Sequence, residues 1–253
     1  MKTFAILGTG FLGLALAREL KSNYKVKVSI RTNDKYDDLI NEGFFPYLLN
    51  EDNFSFLDEL LDTEYLFINF PPTKSKNYLE FLNKIYSHKK IVNIKKIIFI
   101  SSTSIYPNEN ANFTEDFKIK NSVSKIVFDA EELIKSKTDI IFRCAGLMGE
   151  NRIAGKYFSN KVVDFKDKKV NYVHRDDVIN ALKFIIQIDK NGIFNLCSKE
   201  HPTIEEVYLI NAKKYKFEKA IFKDTKEYKN RLIDGSKIQS LGFEYKYPNP
   251  IEY

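Results

Sequence analysis

The stretch Phe4-Ala5-Ile6-Leu7-Gly8-Thr9-Gly10-Phe11-Leu12-Gly13 decides the fold. Its first four residues are apolar without interruption, as in a short buried strand. The glycines that follow are spaced GxGxxG, and the chain then runs into the helical pattern of residues 12–21. That spacing alone says little. It becomes informative when a strand leads into it and a helix opens on it. Gly8 allows the tight turn, Gly10 lets backbone approach a pyrophosphate, and Gly13 lets helix and strand pack closely. The N–H groups and the positive helix end, roughly half a charge, favour an anion there. Gly8, Thr9, Gly10, Phe11, Leu12 and Gly13 therefore read as a cradle for the phosphates of a dinucleotide.

Outward from this turn, strands and helices alternate. Apolar or alternating runs predict strands at 4–7, 26–30, 45–49, 65–70, 97–100, 140–142 and 194–197. The periodicity predicts helices at 12–21, 36–41, 54–61, 76–86, 122–135, 176–187 and 204–212. Pro46 assigns its strand to a sheet margin. Residues 65–70, stopped by Pro71-Pro72, fit a strand covered on both faces. Alternation of this kind implies right-handed crossovers and a doubly wound parallel sheet, the α/β Rossmann class, with a small C-terminal lobe. The expected division is a dinucleotide-binding core at 1–146 and a substrate lobe with returning strands at 147–253, as one continuous domain. Length agrees, since 253 residues is less than two domains' worth.

Composition narrows the function. Apolar residues make up 43% and charged ones 29%, as in an ordinary globular chain. No apolar run is long enough to span a membrane. Two cysteines, Cys144 and Cys197, exclude a disulfide framework and a cysteine-rich zinc module. The three histidines have no metal-ligand spacing, so no metal is expected. A net charge of +6 and a pI near 9.0 come without a basic stripe interleaved with aromatics. Nucleic acid is therefore not the expected partner; a polyanionic small ligand suits the balance. Lys2 and the apolar run after it imitate a secretory signal, but Gly8, Gly10 and Gly13 break it, and the expected location is cytoplasmic.

The end of the second strand bears on the choice of cofactor. NAD binders place an acid about 20 residues past the glycines, for the ribose hydroxyls. Here Arg31 stands there, followed by Thr32 and Lys35. A guanidinium can hold a 2′-phosphate by two hydrogen bonds, so NADP is expected over NAD. Asp34 is the alternative, as a ribose acid. Phe70 and Pro71, where the buried 65–70 run stops, complete the residues expected to meet the cofactor.

Three further segments carry a family resemblance. Ile98-Phe99-Ile100-Ser101-Ser102-Thr103-Ser104-Ile105-Tyr106 resembles the "SSxSVYG" segment of extended and atypical short-chain dehydrogenases/reductases. Arg143-Cys144-Ala145-Gly146-Leu147-Met148-Gly149 resembles their "RxxGLYGP", and Val173-His174-Arg175-Asp176-Asp177-Val178 their "(V/I)HxxDV". These are the nucleoside-diphosphate-sugar epimerase/dehydratase-like proteins. The resemblance implies an NAD(P)-dependent oxidoreductase or epimerase acting on a small molecule, with Ser102 orienting a carbonyl and Lys125 binding the nicotinamide ribose.

Departures accompany it. The glycine pattern is that of an atypical branch, and Pro107 follows Tyr106 where the family has Gly. Asn121 stands where the family's YxxxK tyrosine belongs, four residues before Lys125 on what the periodicity makes one helix face. An amide has no proton to give near neutral pH. Losing a general acid typically costs about 10²–10⁴ in rate. Tyr106, Tyr172 and His174 are candidate substitutes. The other expectation is a non-catalytic dinucleotide sensor or scaffold.

Overall fold

The computed structural model describes residues 1–223 and 227–253. In chain order its elements are β1 (Lys2–Leu7), α1 (Phe11–Leu20), β2 (Tyr24–Ile30), α2 (Tyr36–Asn41), β3 (Phe45–Leu48), α3 (Leu57–Leu61), β4 (Tyr65–Ile68), α4 (Tyr78–Tyr86) and β5 (Lys96–Ser102). There follow β6 (Ala111–Phe113), α5 (Lys125–Ile134), β7 (Ile140–Cys144), β8 (Gly146–Met148), β9 (Val162–Asp164) and β10 (Tyr172–His174). The chain ends with α6 (Arg175–Gln187), β11 (Gly192–Leu196), α7 (Ile204–Tyr215), β12 (Ile221–Lys223), β13 (Arg231–Ile233) and α8 (Ser236–Gln239).

Seven strands form one sheet in the order β11-β7-β5-β4-β1-β2-β3. β1 pairs in parallel with β2 and with β4, and strand order reverses there. This is the doubly wound α/β arrangement, and such reversal points are where open sheets of this kind bind ligands. β3, with its Pro46, is at the margin as expected. β1 and β4 are buried on both faces: from Phe4 to Leu7 and from Tyr65 to Ile68 every residue is inaccessible or nearly so. Phe4 stacks on Tyr65 at 5.6 Å and meets Tyr24 edge-on at 5.5 Å, which locks the start of three strands together. α1 buries Leu12, Leu16 and Leu20, one side chain per turn.

Lys27 in β2 is buried, and its Nζ donates to the carbonyls of Glu59 and Asp62 at 2.6 and 2.5 Å. Burial lowers the affinity of this ammonium for its proton. The carbonyl end of α3 offsets that penalty, because a helix C-terminus favours a cation.

By its internal contacts the chain forms two compact units. The first holds Met1–Ser101 and Ser124–Phe142, the second Ser102–Val123 and Arg143–Tyr253. Residues 102–123 group with the C-terminal residues although they come before position 146 in the chain. The reason lies in pairing: Ala111 to Phe113 in β6 align in parallel with Arg231 to Ile233 in β13. Two more small parallel pairs, β8 with β10 and β9 with β12, belong to the same unit. Its core gathers Met148, Val163, Val170, Val207 and Tyr208. A capping box closes the start of α7, Thr203 Oγ1 accepting from Glu206 N while the Glu206 carboxylate accepts from Thr203 N. The buried Asp177 carboxylate accepts from the backbone N–H of Lys246 and Tyr247 at 2.7 and 3.0 Å, tying the C-terminal segment down.

Candidate functional site

The glycine turn is built as its spacing requires. Gly8 has φ +104°, a left-handed conformation that side chains rarely adopt, and a Cβ there would stand 2.6 Å from the Asn69 carbonyl oxygen. Asn69 N donates to Leu7 O at 2.8 Å, so the ends of β1 and β4 are stitched together under the turn. A Cβ on Gly13 would lie 2.0 Å from Gly8 O, which is the close helix–strand approach in atomic terms. Gly10 is different. It caps α1 without a side-chain hydrogen bond, there is no acid in the first helical turn, and a Cβ on it would meet nothing within 4 Å. The turn thus presents backbone to space at the one position where a phosphate has to approach. A dinucleotide pyrophosphate fits this geometry.

Ser29 links the turn to β2. Its Oγ accepts from Gly8 N and its carbonyl accepts from Thr9 Oγ1, each at 2.9 Å. Nothing in the glycine motif points to Ser29; its signal is a small polar residue at the end of an apolar strand. Phe11 and Leu12 open α1, with Leu12 in the core.

Two residues past Ser29, Arg31 leaves the same end of β2. Both its Nη atoms are taken by Glu51, at 3.2 and 2.6 Å. Burial works against the Glu51 charge, yet the hydrogen bonds it accepts, the Arg31 fork among them, hold its carboxyl at about 2. Thr32 Oγ1 donates to Asp34 Oδ2 at 2.9 Å, so the alternative ribose acid is engaged locally. Lys35 is exposed. Phe70 is half-buried against Phe81 and Tyr78, and Pro71 leads into a short 3-10 turn.

The catalytic expectations fare differently. α5 begins at Lys125 with Ser124 as its cap, so Asn121 lies outside the helix and does not share a face with Lys125. The helix-face expectation for 121 and 125 is therefore corrected. Residues 120–124 are irregular, and Ser122 and Val123 bond back to the 103–106 segment through Ser104 O and Tyr106 O. Lys125 is extended on the surface, 83% exposed, and paired with Asp129 one turn on. Ser102 Oγ accepts from Ser104 N at 3.1 Å and caps the turn at 103–105. The neighbouring Ser101 hydroxyl binds the buried carboxylate of Glu131.

The three candidate substitutes have partners within the protein. Tyr106 is fully buried; its hydroxyl donates to Asn195 Oδ1 at 2.7 Å and accepts from Arg143 Nη1 at 3.0 Å. Burial raises its pKa above the ordinary phenol value, against the pull of Arg143. Asn195 in turn donates to the carbonyls of Phe113 and Asp234, and its N–H donates to Glu115. Tyr172 is likewise raised, by burial beside Tyr208. His174 Nδ1 accepts from Asp176 N and caps α6, its ring against Tyr247 at 4.0 Å. Burial lowers its pKa, so the neutral acceptor form is favoured. Cys144 is pushed up to about 12 by burial, which makes it an inert thiol. Among the described residues no cluster of His, Cys, Asp and Glu has a metal-binding arrangement, and no helix is long and apolar enough to cross a membrane.

The sheet order with its glycine turn at the reversal point defines a doubly wound Rossmann fold. UDP-N-acetylglucosamine 4-epimerase of Methanobrevibacter ruminantium M1 shares the fold at TM-score 0.82 and 18% identity, over 99% of this chain and 95% of that one. UDP-glucuronic acid 4-epimerase of Bacillus cereus, solved in complex with NAD, does so at TM-score 0.78 and 17% identity, over 99% and 93%. No family model matches the chain. Protein YeeZ of Escherichia coli K12 is 33% identical, over 99% of this chain and 98% of its own length, and the chain belongs to that protein's family.

Proposed function

We propose that this protein binds a nicotinamide dinucleotide over residues 8–13 and uses it in oxidoreductase or epimerase-like chemistry on a small molecule. The observation that carries the reading is Gly10, a helix cap whose missing side chain leaves the backbone approachable. The presence of NAD in the Bacillus cereus epimerase of the same fold supports it. When bound, such a cofactor supplies hydride transfer. Gly8, Thr9, Gly10 and the start of α1 hold its pyrophosphate, and Arg31, Thr32 and Lys35 meet the adenosine side. Arg31 would favour NADP over NAD once its fork, held by Glu51, is free for a 2′-phosphate. Ser102 and Lys125 are the proposed substrate and ribose contacts. Two buried free thiols suit a reducing, cytoplasmic setting.

A second reading, a dinucleotide sensor without turnover, is favoured by Asn121. It is not on the helix of Lys125, and the buried hydroxyl of Tyr106 is committed to Asn195 and Arg143. Calorimetry with NADPH tests the shared part. The unmodified protein is expected to bind, and a folded Gly10→Val protein is expected to lose binding. Undiminished affinity in that variant sinks both readings. NADPH oxidation against a panel of carbonyls and flavins then separates enzyme from sensor.

A further inference from the structure

Glu51 belongs to none of the sequence motifs, yet it holds the side chain on which cofactor choice turns. Its carboxylate takes both Nη atoms of Arg31, the two-point geometry that a phosphate would otherwise use. The pair is not a chance meeting of two long side chains. Leu49 N donates to Ile30 O at 2.9 Å, and Asn50 Nδ2 donates to Arg31 O at 3.0 Å. Asn50 and Asn53 exchange backbone hydrogen bonds, and Asn50 Oδ1 accepts from Asp52 N. The loop that carries Glu51 is therefore fastened to the end of β2 by its own backbone. Arg31 in turn sits two residues past Ser29, which holds the glycine turn. Glu51 remains ionised far into acid, with its carboxyl at about 2.

We propose that Glu51 is the specificity-determining residue of the dinucleotide site. It occupies the Arg31 fork and opposes a 2′-phosphate, so the protein takes NADPH no more tightly than NADH. The proposal rests on the dinucleotide reading of residues 8–13. A 2′-phosphate is doubly charged or nearly so. To reach Arg31 it has to displace a carboxylate already bound at two points and then lie beside that negative charge. A ribose diol brings no charge and can donate to a carboxylate, so NADH meets no such opposition.

The test is calorimetry of the full chain with NADH and with NADPH. The proteins are the unmodified form, Glu51→Gln, Glu51→Ala, Arg31→Ala and the double variant Glu51→Gln/Arg31→Ala, each checked for folding by thermal melting. In the unmodified protein NADPH is expected to bind no more tightly than NADH. Freeing Arg31 should tighten NADPH roughly 10–150-fold, the range for a charge-assisted phosphate contact, while NADH changes far less. The gain should vanish in the double variant. NADH binding with no gain for NADPH in either Glu51 variant overturns this proposal and leaves the dinucleotide reading standing. So does a preference for NADPH in the unmodified protein. Failure of every folded form to bind either dinucleotide overturns both.

Discussion

The glycine turn of the first unit and the Tyr106 region of the second both come from stretches that resemble one family, and they end in opposite ways. At the turn, close contacts surround Gly8 and Gly13, but the added atom on Gly10 would meet nothing within 4 Å. Around Tyr106 the buried hydroxyl is answered from within its own unit: Asn195, Arg143, Glu115 and the carbonyls of Phe113 and Asp234 form one hydrogen-bonded group. A group left facing space can serve a ligand. A buried hydroxyl with both its hydrogen-bonding roles filled serves the fold, because unmaking those bonds carries the desolvation cost of every partner. The likeness of a motif to a family therefore does not settle its role; the partners of its side chains do.

The contrast within the turn is the sharpest way to break this comparison. Gly13→Ala puts a carbon on top of Gly8 O, a backbone atom that cannot swing aside, with Ile6 Cγ2 only 3.2 Å away. We expect a loss of about 3 kcal/mol, at the upper end for overpacking, read by urea unfolding. A Gly13→Ala protein as stable as the parent would show that the turn is slack and not close-packed.

Tyr106→Phe tests the other side. It removes one hydroxyl and leaves Asn195 Oδ1 without its donor, for an expected cost of about 1–3 kcal/mol. Dinucleotide affinity should stay as it was. A variant of full stability that has lost turnover with a carbonyl panel would instead make Tyr106 a catalytic acid.

The smallest effect is expected from Asn121→Tyr. On a shared helix face a restored tyrosine would add up to about 10²–10⁴ in rate. Because α5 starts only at Lys125, we expect NADPH oxidation to rise by less than about tenfold. A gain of a thousandfold would mean that residues 121–124 become helical when ligand binds.

Much of this was legible in the sequence because it is local. The strand, the GxGxxG turn and the helix after it depend on neighbours within a few residues, and so did the boundaries Tyr36–Asn41 of α2 and the marginal place of β3. The start of α5 differs from the expected one for a reason that is not local. Residues 122–124 fit a helical period, but Ser122 and Val123 find partners at Ser104 and Tyr106 that a helix would forgo. The burial of Lys27 is not legible in the sequence, because alternation marks which residues share a face and cannot say that a helix end covers that face.

Period, glycine spacing and apolar runs were enough for the seven strands of the main sheet and the helices between them, the doubly wound class and the glycine turn, while the small paired strands β6, β8, β9, β10, β12 and β13 were not legible. The tertiary structure alone decided what the charged and polar side chains are for. Arg31 meets an acid 20 residues away, and Tyr106 an amide 89 residues away. No periodicity spans those separations, because such pairs form only when the packed sheet and its loops bring distant backbone together. Once desolvated there, a polar group takes whichever partner the fold supplies.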